Sequence, residues 1–205
     1  MRLLSHTIGI FTNPDKEWQA IRSDKHSFVQ VFLSHVPILA LIPVVSAYIG
    51  VTQVGFTIGD NVQKLTPGSA LTLCVITYFA MLFGVYIFGE FINWMAKSFK
   101  VEGDEEMRHY EGTALAVFVT TPIFLAGFIG LYPNLWLNAA VTLLATAYSI
   151  YLIYEGIPIL MNIDKERAFV YASSVVTVGL VLLVSIRVGT VILWSMGVGP
   201  VYQHG

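Results

Sequence analysis

Three carboxylates are the side chains best placed to do chemistry in this sequence, because all three lie at the edges of long apolar stretches. Glu90 lies just inside the end of one stretch, Glu111 begins the next, and Glu155 closes the one after that. An ionisable group in apolar surroundings is costly and is a functional candidate by default. If the three converge, they would repel one another and bind protons or a cation. The alternative, which the pattern favours, is that each lies at the headgroup level, solvated or paired with Lys97, Arg108 or Arg167.

Two further polar residues are candidate site residues. Asn93 follows shortly after Glu90, and Arg187 lies within the last apolar stretch. By the rise of a helix, Arg187 and Glu90 lie at different depths, so we expect no direct pair between them. Arg187 is instead expected to extend outward, to bond to backbone carbonyls, or to bind an anionic lipid headgroup.

The motifs that carry most enzyme chemistry are absent from the sequence. It has no Gly-x-Ser-x-Gly nucleophile motif and no glycine-rich phosphate loop. His35 is the single histidine within the apolar stretches, without a second haem ligand at its depth, and Cys74 is the single cysteine. We therefore expect a non-enzymatic protein with no catalytic residue, no cofactor and no metal site.

The elements that must position these residues are five apolar stretches, each about as long as the 20 residues that cross a hydrocarbon core. The mean hydropathy is +0.71, and 12% of the residues are charged, against about a quarter in soluble proteins. Runs such as 175–184 do not alternate between apolar and polar residues, which favours helices over a barrel. The sequence predicts an all-α membrane protein with five transmembrane helices, at Phe28–Tyr48, Gly68–Met95, Thr113–Leu131, Leu135–Tyr154 and Val170–Met196.

Basic residues fall mainly in alternate gaps between the stretches. Four precede the first stretch, three follow the second and two follow the fourth, whereas the other gaps hold only Lys64. By the positive-inside rule, the N-terminus is cytoplasmic and the C-terminus is outside. We therefore divide the chain into a cytoplasmic segment at 1–27, a five-helix domain at 28–196 and an outside tail at 197–205. The net charge of −2, without a basic stripe, argues against a nucleic-acid partner.

A short amphipathic helix is predicted at Pro14–Lys25, ahead of the first span. Asn13 can cap its start, and proline suits the first position of a helix. Trp18 and Ile21 share one face of it, so we expect the helix to lie on the cytoplasmic membrane surface with these two side chains as anchors. The alternative is a soluble helix packed under the loops. No small-residue cleavage site follows the N-terminal segment, so we expect no removable signal.

Three segments resemble the bacterial Yip-domain proteins, and in particular the YohC-like inner-membrane proteins of Gram-negative bacteria. They are the Pro–Trp–Ile spacing within Phe11–Ile21, the segment Thr121–Pro133 and the segment Tyr151–Glu166. The resemblance covers nearly the whole chain. It implies five transmembrane helices in the bacterial inner membrane with a cytoplasmic N-terminus, and it carries over no catalytic residue.

Three functions are compatible with these observations. The leading hypothesis is a membrane adaptor or scaffold that binds a protein or lipid through the Pro14–Lys25 helix and the cytoplasmic ends of the spans. The first alternative is a small transporter or channel with a cation or proton route through Glu90. The second is a lipid-handling protein that uses Arg187. Membrane lipids, a membrane-protein partner and a second copy of the chain are the expected partners, and the sequence leaves the choice among them open.

Overall fold

The protein is a bundle of long helices preceded by two short ones, seen here in a computed structural model. The structure describes residues 2–23, 27–58, 61–99, 101 and 105–203. Two strands of three residues each pair antiparallel between the first two long helices, with Thr57 opposite Val62. In chain order the elements are α1 (Arg2–Thr12), α2 (Pro14–Ser23), α3 (Phe28–Ile49), a π-helical turn (Gly50–Val54), β1 (Phe56–Ile58), β2 (Asn61–Gln63), α4 (Pro67–Ser98), α5 (Glu105–Ala126), a 3-10 segment (Gly127–Leu131), α6 (Leu135–Leu160) and α7 (Lys165–Ser195).

Within the described residues, five helices are long and apolar enough to cross a membrane, which confirms the five predicted spans. Helices are the form that these stretches take because a helix pairs its own backbone groups where no water can do so. Polar side chains mark several starts: Ser27 accepts a hydrogen bond from the Gln30 amide, and Asn134 accepts one from the Leu137 amide at 3.0 Å. α4 begins with Pro67, whose missing N–H costs nothing at that position.

Each long helix packs against the next one along the chain, so the connections alternate between two ends of the bundle. We call the end with α2, the start of α5 and the turn 161–164 the near end. The opposite end, with the β1–β2 hairpin, the 3-10 segment and residues 197–203, is the far end.

Helix α5 forms the centre of the bundle and contacts α3, α4 and α6. Every residue from 110 to 119 is buried, and those from Ala114 to Val119 are at most 1% exposed. By contrast, α7 lies at the edge against α4 and α6 and presents most of its side chains outward. Outward apolar side chains are what a lipid-facing helix requires, because lipid replaces water as the solvent.

Two glycines allow α3 and the π-helical turn after it to lie against the 3-10 segment that follows α5. A Cβ on Gly50 would lie 1.9 Å from the Gly130 carbonyl oxygen, and a Cβ on Gly127 would lie 2.4 Å from the Pro43 Cβ. Small residues permit this closeness between membrane helices, and the gain is dispersion contact along both backbones. Pro43 lies inside α3, where it is tolerated because neighbouring helices accommodate the local change.

The first two helices, α1 and α2, fold back on each other at Asn13, and we call them the N-terminal hairpin. They pack inside the near end, against α3, α5 and α6. A helix is present at Pro14–Ser23, while Lys25 lies outside the described residues. Trp18 and Ile21 are 0% and 1% exposed and belong to the protein core. The prediction that these two side chains anchor the chain to the membrane surface is therefore wrong. The apolar face of α2 must be shielded from water, and here the other helices of the bundle shield it.

The tail at the far end is tied to the start of α4. The Thr66 amide donates to the Val201 carbonyl at 2.8 Å, and the Gln203 amide donates to the Lys64 carbonyl at 2.8 Å. The Ser69 hydroxyl adds a bond to the Gly199 carbonyl at 3.1 Å. These bonds attach the end of the peripheral helix α7 to the bundle.

Trp18→Ala should lower the stability of the folded protein by about 3 kcal/mol or more, since it removes the largest buried side chain of the N-terminal hairpin. Gln19→Ala is the matched control, because Gln19 is exposed on the same helix. Thermal melting of the purified variants in one detergent measures the difference. Equal melting temperatures for the two variants would contradict the buried position of Trp18.

Candidate functional site

A cluster of polar side chains surrounds the ring of Phe118 inside the near half of the bundle. The His6 imidazole contacts the Glu17 carboxylate, and the Thr7 hydroxyl lies 2.9 Å from the His35 Nε2. Both histidines pack edge-on against Phe118, with ring centroids at 5.9 Å for His6 and 5.0 Å for His35. His6 is 7% exposed and His35 is 3% exposed. We call these five residues the Phe118 cluster.

The N-terminal hairpin delivers His6, Thr7 and Glu17 to this cluster, and two tyrosines hold the hairpin in place. The Tyr148 hydroxyl of α6 donates to the Ile10 carbonyl at 2.9 Å. The Tyr110 hydroxyl of α5 donates to the Ile21 carbonyl at 2.7 Å. Each bond gives a buried carbonyl near a helix end the partner that its own helix does not supply.

Trp18 fills the remaining space beside the cluster. Its ring meets Phe118 edge-on at 6.3 Å, and it lies over Gly156 of α6, where an added Cβ would come within 2.8 Å of the indole. The same Cβ would also meet Leu115 at 2.8 Å. A glycine at this position therefore allows the indole to lie against the α6 backbone.

Glu90 and Asn93 form a second polar group, on α4 facing α5. The Glu90 carboxylate lies 3.7 Å from the His109 Nδ1, and the Asn93 amide nitrogen lies 3.0 Å from the His109 Nε2. Asn93 is 6% exposed, and a Cβ on Gly112 would come within 3.2 Å of it. The Glu90 side chain remains 35% exposed, so this group borders the near-end surface.

The other two carboxylates have partners of their own. Glu111 is 4% exposed, and the positive charges of Arg22 and Arg108 act on it. Glu155 interacts with Asp15 of the N-terminal hairpin and with Lys165. The three carboxylates therefore face different neighbours. Across the described ranges, no group of three or more His, Cys, Asp or Glu side chains is arranged to hold a metal ion.

Arg187 lies apart from all of these groups, on the far half of α7. Its side chain is exposed and borders a groove of about 240 Å³ with Thr142 and Thr146 of α6. The expected separation from Glu90 agrees with this position, since Glu90 lies beside His109 at the near end.

Charged and polar side chains cover the near-end surface. Arg22 of α2 donates to the Asn162 side-chain oxygen at 3.3 Å. Asp164 caps α7 by accepting from the Arg167 amide at 3.0 Å. This hydrogen bond, with the adjacent guanidinium, holds the pKa of the exposed Asp164 carboxyl below its usual value.

The N-terminal part of the Phe118 cluster was not predicted from the sequence. His6, Thr7 and Glu17 were assigned to the cytoplasmic segment at 1–27, so His6 was placed at a different depth from His35. The available signal was the group Ser5, His6 and Thr7, which interrupts the apolar residues of α1. Polar side chains in such a run need internal partners once the run is buried.

The chain is similar to one protein family and to two named bacterial proteins. The Yip1 domain family matches residues 8–186. Over 195 residues the chain is 38% identical to the inner membrane protein YohC of Escherichia coli K12, and equally to the protein of that name from Escherichia coli O6:H1 strain CFT073. Both alignments cover 95% of this chain and 98% of the relative. No solved structure matches the chain.

Thr7→Val should destabilise the protein by about 1–3 kcal/mol, because the buried His35 nitrogen loses its hydrogen-bond partner. Thr12→Val is the matched control, since the exposed Thr12 hydroxyl bonds only to carbonyls of its own helix. Chemical or thermal unfolding of both variants in the same detergent measures the difference. If Thr12→Val is as destabilising as Thr7→Val, the link from hairpin to α3 contributes nothing of its own.

Proposed function

The chain belongs to the Yip1 domain family, and from this premise we propose that it is a non-enzymatic membrane adaptor that binds a protein or lipid partner at its near end. Its five apolar spans make it a multi-pass membrane protein, and both relatives named above are inner membrane proteins. The adaptor role, the partner and the orientation are the parts that we propose.

The filled centre of the bundle is the observation that carries this proposal. Ala114–Val119 of α5 are at most 1% exposed, so this central stretch borders no space that water can enter. A transport route needs polar groups along a continuous path. The polar groups of the Phe118 cluster instead bond to one another across three helices. Because the interior is filled and the near end is polar, these features favour binding of a partner at the near end over transport of a substrate through the bundle.

The proposed binding face is the outward side of the near end. The α2 helix turns Trp18 and Ile21 inward, so a partner meets its polar side and not an apolar one. Mixed charges on that face favour a polar, charge-matched contact, which sets specificity and association rate more than raw affinity. The exposed side chains are Asp15, Lys16, Gln19 and Arg22 on α2 with Lys165 and Glu166 at the start of α7.

We further propose that the near end is cytoplasmic. Among the described basic residues, Lys16, Arg22 and Lys165 lie at this end, together with Lys97, Arg108 and Arg167. Lys64 and Arg187 lie in the far half. The positive-inside rule places the richer end in the cytoplasm, so both the hairpin and the proposed binding face are cytoplasmic.

A photoreactive amino acid at exposed Gln19 should form one discrete protein adduct in intact cells, because the binding face covers that position. The matched control places the same amino acid at Trp136, which is 81% exposed at the far end. Mass spectrometry of the adducts identifies the partner, and extraction into nanodiscs with native lipids gives its stoichiometry.

Two outcomes would reject the adaptor. One is an equal yield of the same adduct from Gln19 and Trp136. The other is a chain that forms no adduct with a partner from Gln19 and supports ion flux in liposomes that falls on Glu90→Gln. The second outcome would establish the transport alternative, because that substitution removes the charge beside His109 while keeping the side-chain size.

A further inference from the structure

The geometry points to a binding site for the headgroup of an anionic phospholipid at Arg187, in a groove between α5, α6 and α7. This site lies on the side of the bundle, away from the near-end face, and does not depend on the adaptor role. Ile123 of α5, Thr142 and Thr146 of α6, and Val184 of α7 line the groove together with Arg187.

The depth of the groove suits a phospholipid. Arg187 lies about two turns before α7 ends at Ser195, roughly 12 Å by helical rise. Thr142 lies about two turns after α6 begins at Leu135, roughly 10 Å along its axis. The groove is therefore within the far half of the membrane, and a long arginine side chain can extend from there toward the headgroup level.

Arg187 carries a positive charge within the apolar span of α7. Among the residues that the structure describes, no carboxylate forms an ion pair with it. The Thr146 hydroxyl donates to the Thr142 carbonyl at 2.8 Å, while no hydrogen bond of the described chain involves the Thr142 hydroxyl. An unpaired charge at membrane depth is costly and is relieved by an anionic partner or by water.

The chemistry of the groove selects the occupant. The surface that lines the groove is mostly apolar, and one guanidinium and a threonine hydroxyl are the polar groups beside it. An acyl chain matches the apolar wall, and a phosphate accepts paired hydrogen bonds from a guanidinium. A free phosphate would have to leave water to reach this depth, whereas a phospholipid brings its phosphate there. A lipid with a choline or ethanolamine headgroup carries its own cation, which competes with Arg187, so phosphatidylglycerol is the better match.

Native mass spectrometry of the full-length protein in detergent tests the site. Phosphatidylglycerol and phosphatidylcholine with identical acyl chains are titrated against wild type and Arg187→Gln. We expect wild type to bind phosphatidylglycerol about tenfold more tightly than phosphatidylcholine, because the choline cation of phosphatidylcholine competes with Arg187 for the phosphate. We expect Arg187→Gln to lose that preference. Equal binding of the two lipids by wild type would overturn the proposal.

Lys64→Gln is the matched control, since it removes the same charge in the far half but outside the groove. This variant should keep the preference for phosphatidylglycerol. Loss of the preference in Lys64→Gln would show that positive charge in general attracts anionic lipid, without a specific site. Inorganic phosphate at millimolar concentration should leave bound phosphatidylglycerol in place. Displacement by phosphate would assign the site to a free anion and reject the lipid.

Two further variants keep the test decisive if Arg187→Gln does not fold. Arg187→Lys retains the charge and should retain most of the preference. Val184→Phe fills the groove from an exposed position, so it should weaken phosphatidylglycerol binding while leaving helix content unchanged. Unaltered binding by Val184→Phe would mean that the lipid does not occupy this groove.

Discussion

Edge-to-face contacts with one ring, Phe118, hold three separate segments of this chain in register. His6 of α1, Trp18 of α2 and His35 of α3 all meet that ring. Such contacts add to the area that aromatic side chains bury and fix the relative angles of the elements that carry them. The position of the N-terminal hairpin, and with it the Phe118 cluster and the polar outward side of α2, depends on this packing. Gly156 permits it by allowing the indole to lie against α6.

Hydrophobicity predicted the five spans because the bilayer fixes the length and apolarity of anything that crosses it. The helix at Pro14–Ser23 was also predictable, since Asn13 and Pro14 mark its start. Its location was not predictable from the pattern. A stripe with Trp18 and Ile21 has the same periodicity whether lipid or protein covers it, and only the surrounding helices distinguish the two cases.

The candidate site was predictable only in part: Arg108 was an expected partner and acts on Glu111, whereas most other partners were not assigned. Glu90, Glu111 and Glu155 were expected at one level, because helical rise relates sequence position to depth. Their partners depend on the rotation of each helix about its axis, which a single sequence does not reveal for helices that are apolar all round. His109, Arg22 and Asp15 were therefore not assigned, although each is charged or titratable and lies near its carboxylate along the bundle.

The N-terminal hairpin is synthesised before the helices on which it packs, so its docking depends on the order of synthesis. The ribosome makes Trp18 and Ile21 long before Phe118 of α5 and Gly156 of α6, on which the hairpin rests. For most of translation these apolar side chains have no protein to cover them. They lack these two partners until α6 has been made, so the hairpin can reach its final position only late in synthesis.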